Sequence, residues 1–402
     1  MKLADPIVQW QDDLTAIRRD IHAHPELAYE ELRTSDLVAR QLESWGIEIH
    51  RGLGGTGVVG IIRGKTDNGR AVGLRADMDA LPMQEANTFE HASRHPGKMH
   101  ACGHDGHTAM LLSAARYLAG HRDFDGTVYA IFQPAEEGFS GARKMIEDGL
   151  FQLFPMEAVF GMHNWPGMPA GSFGMVAGPI MASSNVFEIL IEGKGAHAAM
   201  PHMGNDPVMA AVHLAQIFQT VISRELDPQD PAVLSITQIH AGSADNVIPN
   251  DAALRGTVRT FSTAALDLIE KRMAEITELS CLAMNCKASF NFSRNYPPTV
   301  NHPDEAAFCA EVAADIVGAE HVDPAVRPSM CSEDFAFMLQ EKPGCYVWIG
   351  NGQGDHRSAG HGLGPCTLHN GSYDFNDALL PVGATYWVEL ATRRLARAAA
   401  AS

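Results

Sequence analysis

The stretch A-V-G-L-R-A-D-M-D, residues 71–79, is a mostly apolar run that stops on two aspartates, Asp77 and Asp79. Residues 71–76 suffice for a strand and are too few for a buried helix. Such a run, with little alternation, marks a strand covered on both faces, which belongs in a largely parallel sheet. Two further runs, 127–132 and 157–162, read the same way. Residues 9–22 and 31–45 have helical periodicity, and a helix is expected over Thr108–Leu118, with Asp105 as its cap and Gly120 after it. Strands and helices that alternate up to about residue 182 predict an α/β layer, a sheet flanked by helices.

In such sheets, sites form beyond the carboxyl ends of the strands. The first strand runs into Asp77-Met78-Asp79, the second into Gln133-Pro134-Ala135-Glu136-Glu137, and the third into His163. Between the first two lies H-A-C-G-H-D-G-H (100–107), just before a helix. Three strands therefore deliver carboxylate or imidazole to one edge. Thiolate, imidazole and carboxylate together suit zinc, manganese, cobalt or nickel better than calcium or magnesium. Cys102 and His104, two apart, point to one side if the chain is extended. Glu136 and Glu137 then point apart, so one can bind metal while the other faces substrate as a general base.

Rival readings fit less well. A cysteine nucleophile normally takes its base from far along the chain, oriented by a third group, unlike these clustered histidines. G-F-S-G-A (138–142) misses the G-x-S-x-G elbow by one position. G-L-G-G-T-G (52–57) has the spacing of a dinucleotide loop, but a strand-like V-V-G-I-I-R-G follows where a helix is required. It reads as a glycine turn in a β-hairpin.

Near residue 183 the pattern changes to strand, helix (206–224, opening on Asp206-Pro207), strands at 232–241 and 251–261, a helix at 263–284, and the strand K-A-S-F-N-F-S. The order βαββαβ predicts a ferredoxin-like α+β sandwich. After Tyr296-Pro297-Pro298 the α/β pattern resumes, with a strand at Y-V-W-I-G and a final helix, from which the alanine-rich tail 396–402 is expected to fray. A chain of 402 residues exceeds one ordinary core. The expected domains are 1–182 with 296–402, and an insertion at 183–295.

The formal charge is −18, which argues against nucleic acid or an anionic membrane surface as partner. No apolar run is long enough to span a membrane, and the N-terminus lacks the apolar core of a secretory signal. The seven cysteines are scattered and odd in number, which suggests reduced thiols and a cytoplasmic setting.

R-R-D-I-H-A-H-P-E-L, L-R-A-D-M-D-A-L-P-M, H-A-C-G-H-D-G-H, Q-P-A-E-E-G, G-A-H-A-A-M-P-H-M-G-N-D-P, N-V-I-P, G-T-V-R-T-F, S-E-D-F and L-H-N together resemble the M20D metallopeptidases, from about residue 17 to 377. These are amidohydrolases acting on N-acyl amino acids, among them hippurate hydrolase and the auxin-conjugate hydrolases. The resemblance implies two divalent metal ions per subunit, held by Cys102, His104, Glu137, His163 and His369, with Cys102 bridging. It implies Glu136 as general base and Asp79 as the group that holds the site from behind. Asp77 stands where other branches have a histidine ligand. His107 is read as helix-borne support, while His22 and His24 read as a packed turn. In the insertion it implies that His197 stabilises the oxyanion and that Asn246 and Arg259 contact substrate, with Arg255 the competing arginine. A homodimer through the inserted domain is implied, or a tetramer. The alternatives are a dipeptidase or carboxypeptidase with the same centre, and a metal or small-ligand binder without chemistry. Ala196, Cys331 and Gly371 depart from the family pattern and put the acyl pocket, not the ligands, in question.

Overall fold

The computed structural model describes residues 1–397. In chain order the principal strands are β1 (Glu48–Leu53), β2 (Gly57–Arg63), β3 (Thr66–Asp77), β4 (Asp125–Gln133), β5 (Ala158–Pro166), β6 (Phe173–Gly174), β7 (Ser184–Glu192), β8 (Ala232–Ala241), β9 (Asp251–Thr260), β10 (Lys287–Tyr296), β11 (Val322–Asp323) and β12 (Gly344–Gly352). The principal helices are α1 (Gln11–Ala23), α2 (Leu32–Ser44), α3 (His104–Gly120), α4 (Pro207–Thr220), α5 (Thr263–Ala283), α6 (Pro303–Val317) and α7 (Leu380–Ala396). The expected frayed tail from residue 398 on lies outside the described residues.

The chain forms two compact units: residues 1–178, 300–327 and those from 337 on make the first, and residues 179–299 with 328–336 the second. The first carries an eight-stranded mixed sheet in the order β1-β2-β4-β3-β5-β12-β6-β11. β3 pairs in parallel with β4 on one side and β5 on the other, and β12 runs parallel to β5. From β3 the chain crosses to β4 on one side and later to β5 on the other. A crevice is thereby left open at the carboxyl end of β3. β1 and β2 form an antiparallel hairpin, and Gly54 and Gly55 at its turn have φ of 62° and 87°. This backbone suits glycine and no nucleotide loop.

β3 is buried from Ala71 to Asp77. Helix α3 packs against α1 and α7, with Met110, Leu111 and Leu112 in the same core as Phe375, Tyr386 and Trp387. Each such side chain stabilises the fold by about 1.5–3 kcal/mol. The expected cap for α3 needs correction. The cap position is Gly103, left-handed at φ 94°, and Asp105 lies inside the first turn. The helix starts earlier than periodicity implies because the glycine turn lets His104 join it.

The second unit follows the order β7-α4-β8-β9-α5-β10, with an antiparallel sheet in the order β8-β9-β7-β10. Phe187, Ile189 and Ile191 alternate onto the buried face, against Leu214, Phe218, Ile269 and Met273 of α4 and α5. Val186 and Leu190 point the other way and are exposed, so one sheet face is open. Asp206 caps α4 by accepting from the backbone of Val208 (2.9 Å) and Met209 (3.3 Å). The α-helix ends at Thr220, and Val221–Glu225 continue as a π turn where α-helix was expected. Among the described residues no helix is long and apolar enough to cross a membrane.

Candidate metal centre

At the carboxyl ends of β3, β4 and β5, two triads share one sulfur. The ligand atoms of Cys102, His104 and His163 lie within 4.8 Å of one another, and so do those of Cys102, Glu137 and His369. Glu136 joins His104 and Glu137 in a third group of the same tightness. All six residues belong to the first unit. The structure thus brings together Cys102, His104, Glu136, Glu137, His163 and His369, across a separation of more than 260 positions in the case of His369.

The imidazoles of His163 and His104 are each turned by a hydrogen bond on the far nitrogen. His163 Nδ1 donates to Asn164 O (2.6 Å), which leaves Nε2 3.3 Å from Cys102 Sγ. His104 Nδ1 donates to Asp79 Oδ1 (3.2 Å), and its buried Nε2 has no hydrogen-bond partner. Asp79 Oδ2 accepts from the backbone of Glu137 (2.9 Å), so one aspartate orients two of these residues. Glu137 Oε1 is likewise buried, and His369 Nε2 lies 3.2 Å from it. A buried His104 Nε2 without a hydrogen-bond partner, beside a carboxylate oxygen and a thiol, is a fitting site for divalent cations. The carboxylate-to-histidine bonds are the supports such sites use.

Charge agrees with this. Burial keeps His163 far below the usual imidazole range, hence neutral and able to donate a lone pair. Burial opposes ionisation of Glu137, but His369 and His104 outweigh it and hold the carboxyl low. Burial and the carboxylates of Glu137, Glu136 and Asp77 push the Cys102 thiol well up. That environment suppresses a free nucleophilic thiolate; a bound cation would reverse it.

Asp77 does not turn to the centre first. It accepts from His107 Nδ1 (2.6 Å) and Arg75 (2.7 Å), and lies 3.7 Å from His104 Nε2. His107 Nε2 accepts from the Asn164 backbone (3.0 Å), which fixes its tautomer and makes it a strut between β3 and β5. Two local expectations are corrected. Cys102 and His104 converge through the left-handed Gly103, not along an extended chain. Glu136 and Glu137 diverge in a one-turn helix broken at Glu137 (φ −72°, ψ 74°), entered from a left-handed Ala135. His163 also sits inside β5, which runs on to Pro166 because β12 stays paired with it.

Several functional supports escaped sequence reasoning. Asn164 donates to Cys102 O (2.6 Å) and accepts from Tyr373 Oη (2.7 Å). Arg18 and His22, four apart on one face of α1, are fully buried beside Asp105, Glu85 and Asp374. Their spacing in R-R-D-I-H was the available signal. His100 is buried with neither ring nitrogen bonded, and burial lowers it to about 3.

In the second unit, His197 lies on a short strand paired with Val247–Ile248, and Ala198 N donates to Asn246 O (3.0 Å), so His197 and Asn246 are neighbours. Arg259 donates to Ser332 Oγ (2.9 Å). Arg255 is ion-paired with Glu188.

The family model for peptidase family M20/M25/M40 matches residues 73–393. The chain is 40% identical to hippurate hydrolase of Campylobacter jejuni, over 98% of this chain and 100% of that protein. It is 42% identical to N-acetyl-L-cysteine deacetylase of Bacillus subtilis, over 86% and 82% of the two lengths. Among solved structures, the YXEP protein of Bacillus subtilis, described as a dinuclear metal binding peptidase from the M20 family, superposes with a TM-score of 0.83 at 34% identity, covering 97% of this chain and 99% of that one. A centre of two thiol-sharing triads and a family pattern that runs through both units have one reading: the chain belongs to peptidase family M20/M25/M40 and is a metal-binding hydrolase.

Proposed function

We propose that this hydrolase cleaves the amide bond of N-acyl amino acids, such as acetyl or benzoyl derivatives, releasing a carboxylic acid and a free amino acid. The single observation that carries the reading is the sharing of Cys102 between two triads, with Glu136 beside both. Cys102, His104 and His163 would hold one divalent ion, and Cys102, Glu137 and His369 the other, as manganese, zinc, cobalt or nickel. When bound, such ions acidify water and polarise the amide carbonyl. Glu136 takes the water's proton and returns it to the leaving amine. Asp79 keeps the His104 ring and the Glu137 backbone in position through its two oxygens. His197 stabilises the oxyanion, and Asn246 holds the substrate carbonyl. Arg259 takes the substrate carboxylate. It has no carboxylate partner among the described residues, whereas Arg255 is already neutralised by Glu188. The names of the two relatives support the acylated substrate class. The same reading has the protein acting in the cytoplasm as a homodimer through the second unit, for which the exposed Val186, Leu190 and Ile239 offer apolar surface.

The test is a pair of variants. Glu136→Gln keeps its metal and loses about 10²- to 10⁴-fold in kcat. Glu137→Ala loses metal. Metal analysis is run beside rates on N-benzoylglycine, N-acetyl amino acids and the corresponding free-amine dipeptides. Wild-type rates in Glu136→Gln contradict the base assignment, and a preference for free-amine dipeptides contradicts the substrate class.

A further inference from the structure

The residue His369 is an unusual place for a ligand. It is left-handed at φ 56°, its side chain is 54% exposed, and its loop has no regular structure between β12 and a 3₁₀ turn at Asp377–Leu379. Backbone bonds on either side of the ligand tether the loop: His369 N donates to Ala101 O (2.8 Å) and Ala86 N to Gly371 O (2.7 Å). What anchors its far end is ionic. The fully buried Arg18 donates to Asp374 Oδ1 (3.0 Å) and Asp377 Oδ1 (2.7 Å), a few residues beyond His369, and lies 3.5 Å from Asp105 Oδ2, on the first turn of the helix that starts with His104. Asp374 also contacts His91 (3.3 Å) and His361 (3.1 Å). One planar guanidinium therefore spans the two parts of the chain that carry the most distant of the triad residues. The partners of the Arg18 guanidinium are Asp105, Asp374, Asp377 and His91, none of them a triad residue, so its effect is indirect.

We infer that Arg18 is a positioning residue: by clamping the His369 loop to the first turn of the His104 helix, it sets the affinity of the ion shared by Cys102, Glu137 and His369. The inference rests on the dinuclear reading above. Loss of a support behind a ligand weakens metal binding about 10- to 100-fold.

The full-length protein is stripped with chelator and titrated with Mn(II) alone, free ion being read by its paramagnetic resonance signal. Wild type is expected to take up two ions, and His369→Ala defines which one depends on the loop. Arg18→Gln should weaken that same ion about 10- to 100-fold and leave the other one unchanged, with Arg18→Lys intermediate. Asp374→Asn removes one of the loop charges that Arg18 holds while keeping its shape, and should weaken the same ion as Arg18→Gln does; it also serves if Arg18→Gln does not fold. Wild-type affinities for both ions in folded variants overturn the inference, as does equal weakening of both, which is the mark of a general structural role. Uptake of a single ion by wild type overturns the inference and the dinuclear reading together. Two ions taken up without hydrolysis of any N-acyl amino acid reject only the proposed reaction, and the titration still decides on Arg18.

Discussion

His22 is a buried imidazole whose ring contacts Asp105 (2.9 Å) and Glu85 (3.2 Å). Burial alone would lower its pKa, but the hydrogen bonds and charges of Asp105 and Glu85 outweigh burial and raise it from 6.5 to about 10. The folded chain therefore keeps a proton that the unfolded chain releases earlier. The stabilisation is complete below about pH 6.5 and is lost as pH rises through about 10, on the order of several kcal/mol. Thermal melts should show wild type losing stability between about pH 7 and 10, with His22→Gln lower at neutral pH and flatter across that range. Parallel curves for the two proteins would remove His22 from the account. In the sequence His22 looks like part of a packed turn, because its partners Asp105 and Glu85 lie more than 60 residues away and only the tertiary fold supplies them. The residues of the centre were legible for the opposite reason. Glu136, Glu137 and His163 lie at or near the ends of strands whose apolar runs announce them, and Cys102 and His104 stand in one dense Cys/His run just ahead of a helix, whereas His369 has no such signal and is named only through the family pattern.

At the scale of the element, the turn into α3 does the positioning. Gly103 has φ 94°, and a Cβ added there would run into the Asn164 side-chain amide and Tyr373 Oη. Those groups are the ones that hold the Cys102 carbonyl and brace β5. Gly103→Ala should therefore fold with a lowered melting temperature, costing about 1–2 kcal/mol in backbone strain alone, and should bind metal weakly because Cys102 and His104 separate. Metal content of the purified variant checks this, and full occupancy would contradict it. The extended-chain argument for Cys102 and His104 found the correct pair by the wrong route, since period-two alternation assumes a strand where a left-handed glycine makes a turn. The same holds at Glu136 and Glu137, where a one-turn helix divides the two carboxylates. Backbone handedness is set by packing against Asn164 and Tyr373, which lie more than 60 residues away along the chain.

Across the whole molecule, periodicity carried far. Both sheets, the hairpin at 48–63 and the βαββαβ order of the second unit follow from apolar runs and alternation, signals that each element bears on its own. The loop that carries His369 bears none. Its course is set by Arg18, Asn87 and backbone bonds to Ala86 and Ala101, all of them distant in sequence. The central claim is nevertheless one about that loop: it closes on the ends of β3, β4 and β5 around a pair of cations that the hydrolysis needs. The most direct measurement is metal content per chain taken together with N-benzoylglycine hydrolysis, before exhaustive chelation, after it, and after reloading with manganese, zinc, cobalt or nickel. The account predicts two equivalents in the active protein, activity that vanishes with them, and recovery that tracks the second equivalent. Undiminished hydrolysis by protein stripped of metal would contradict it.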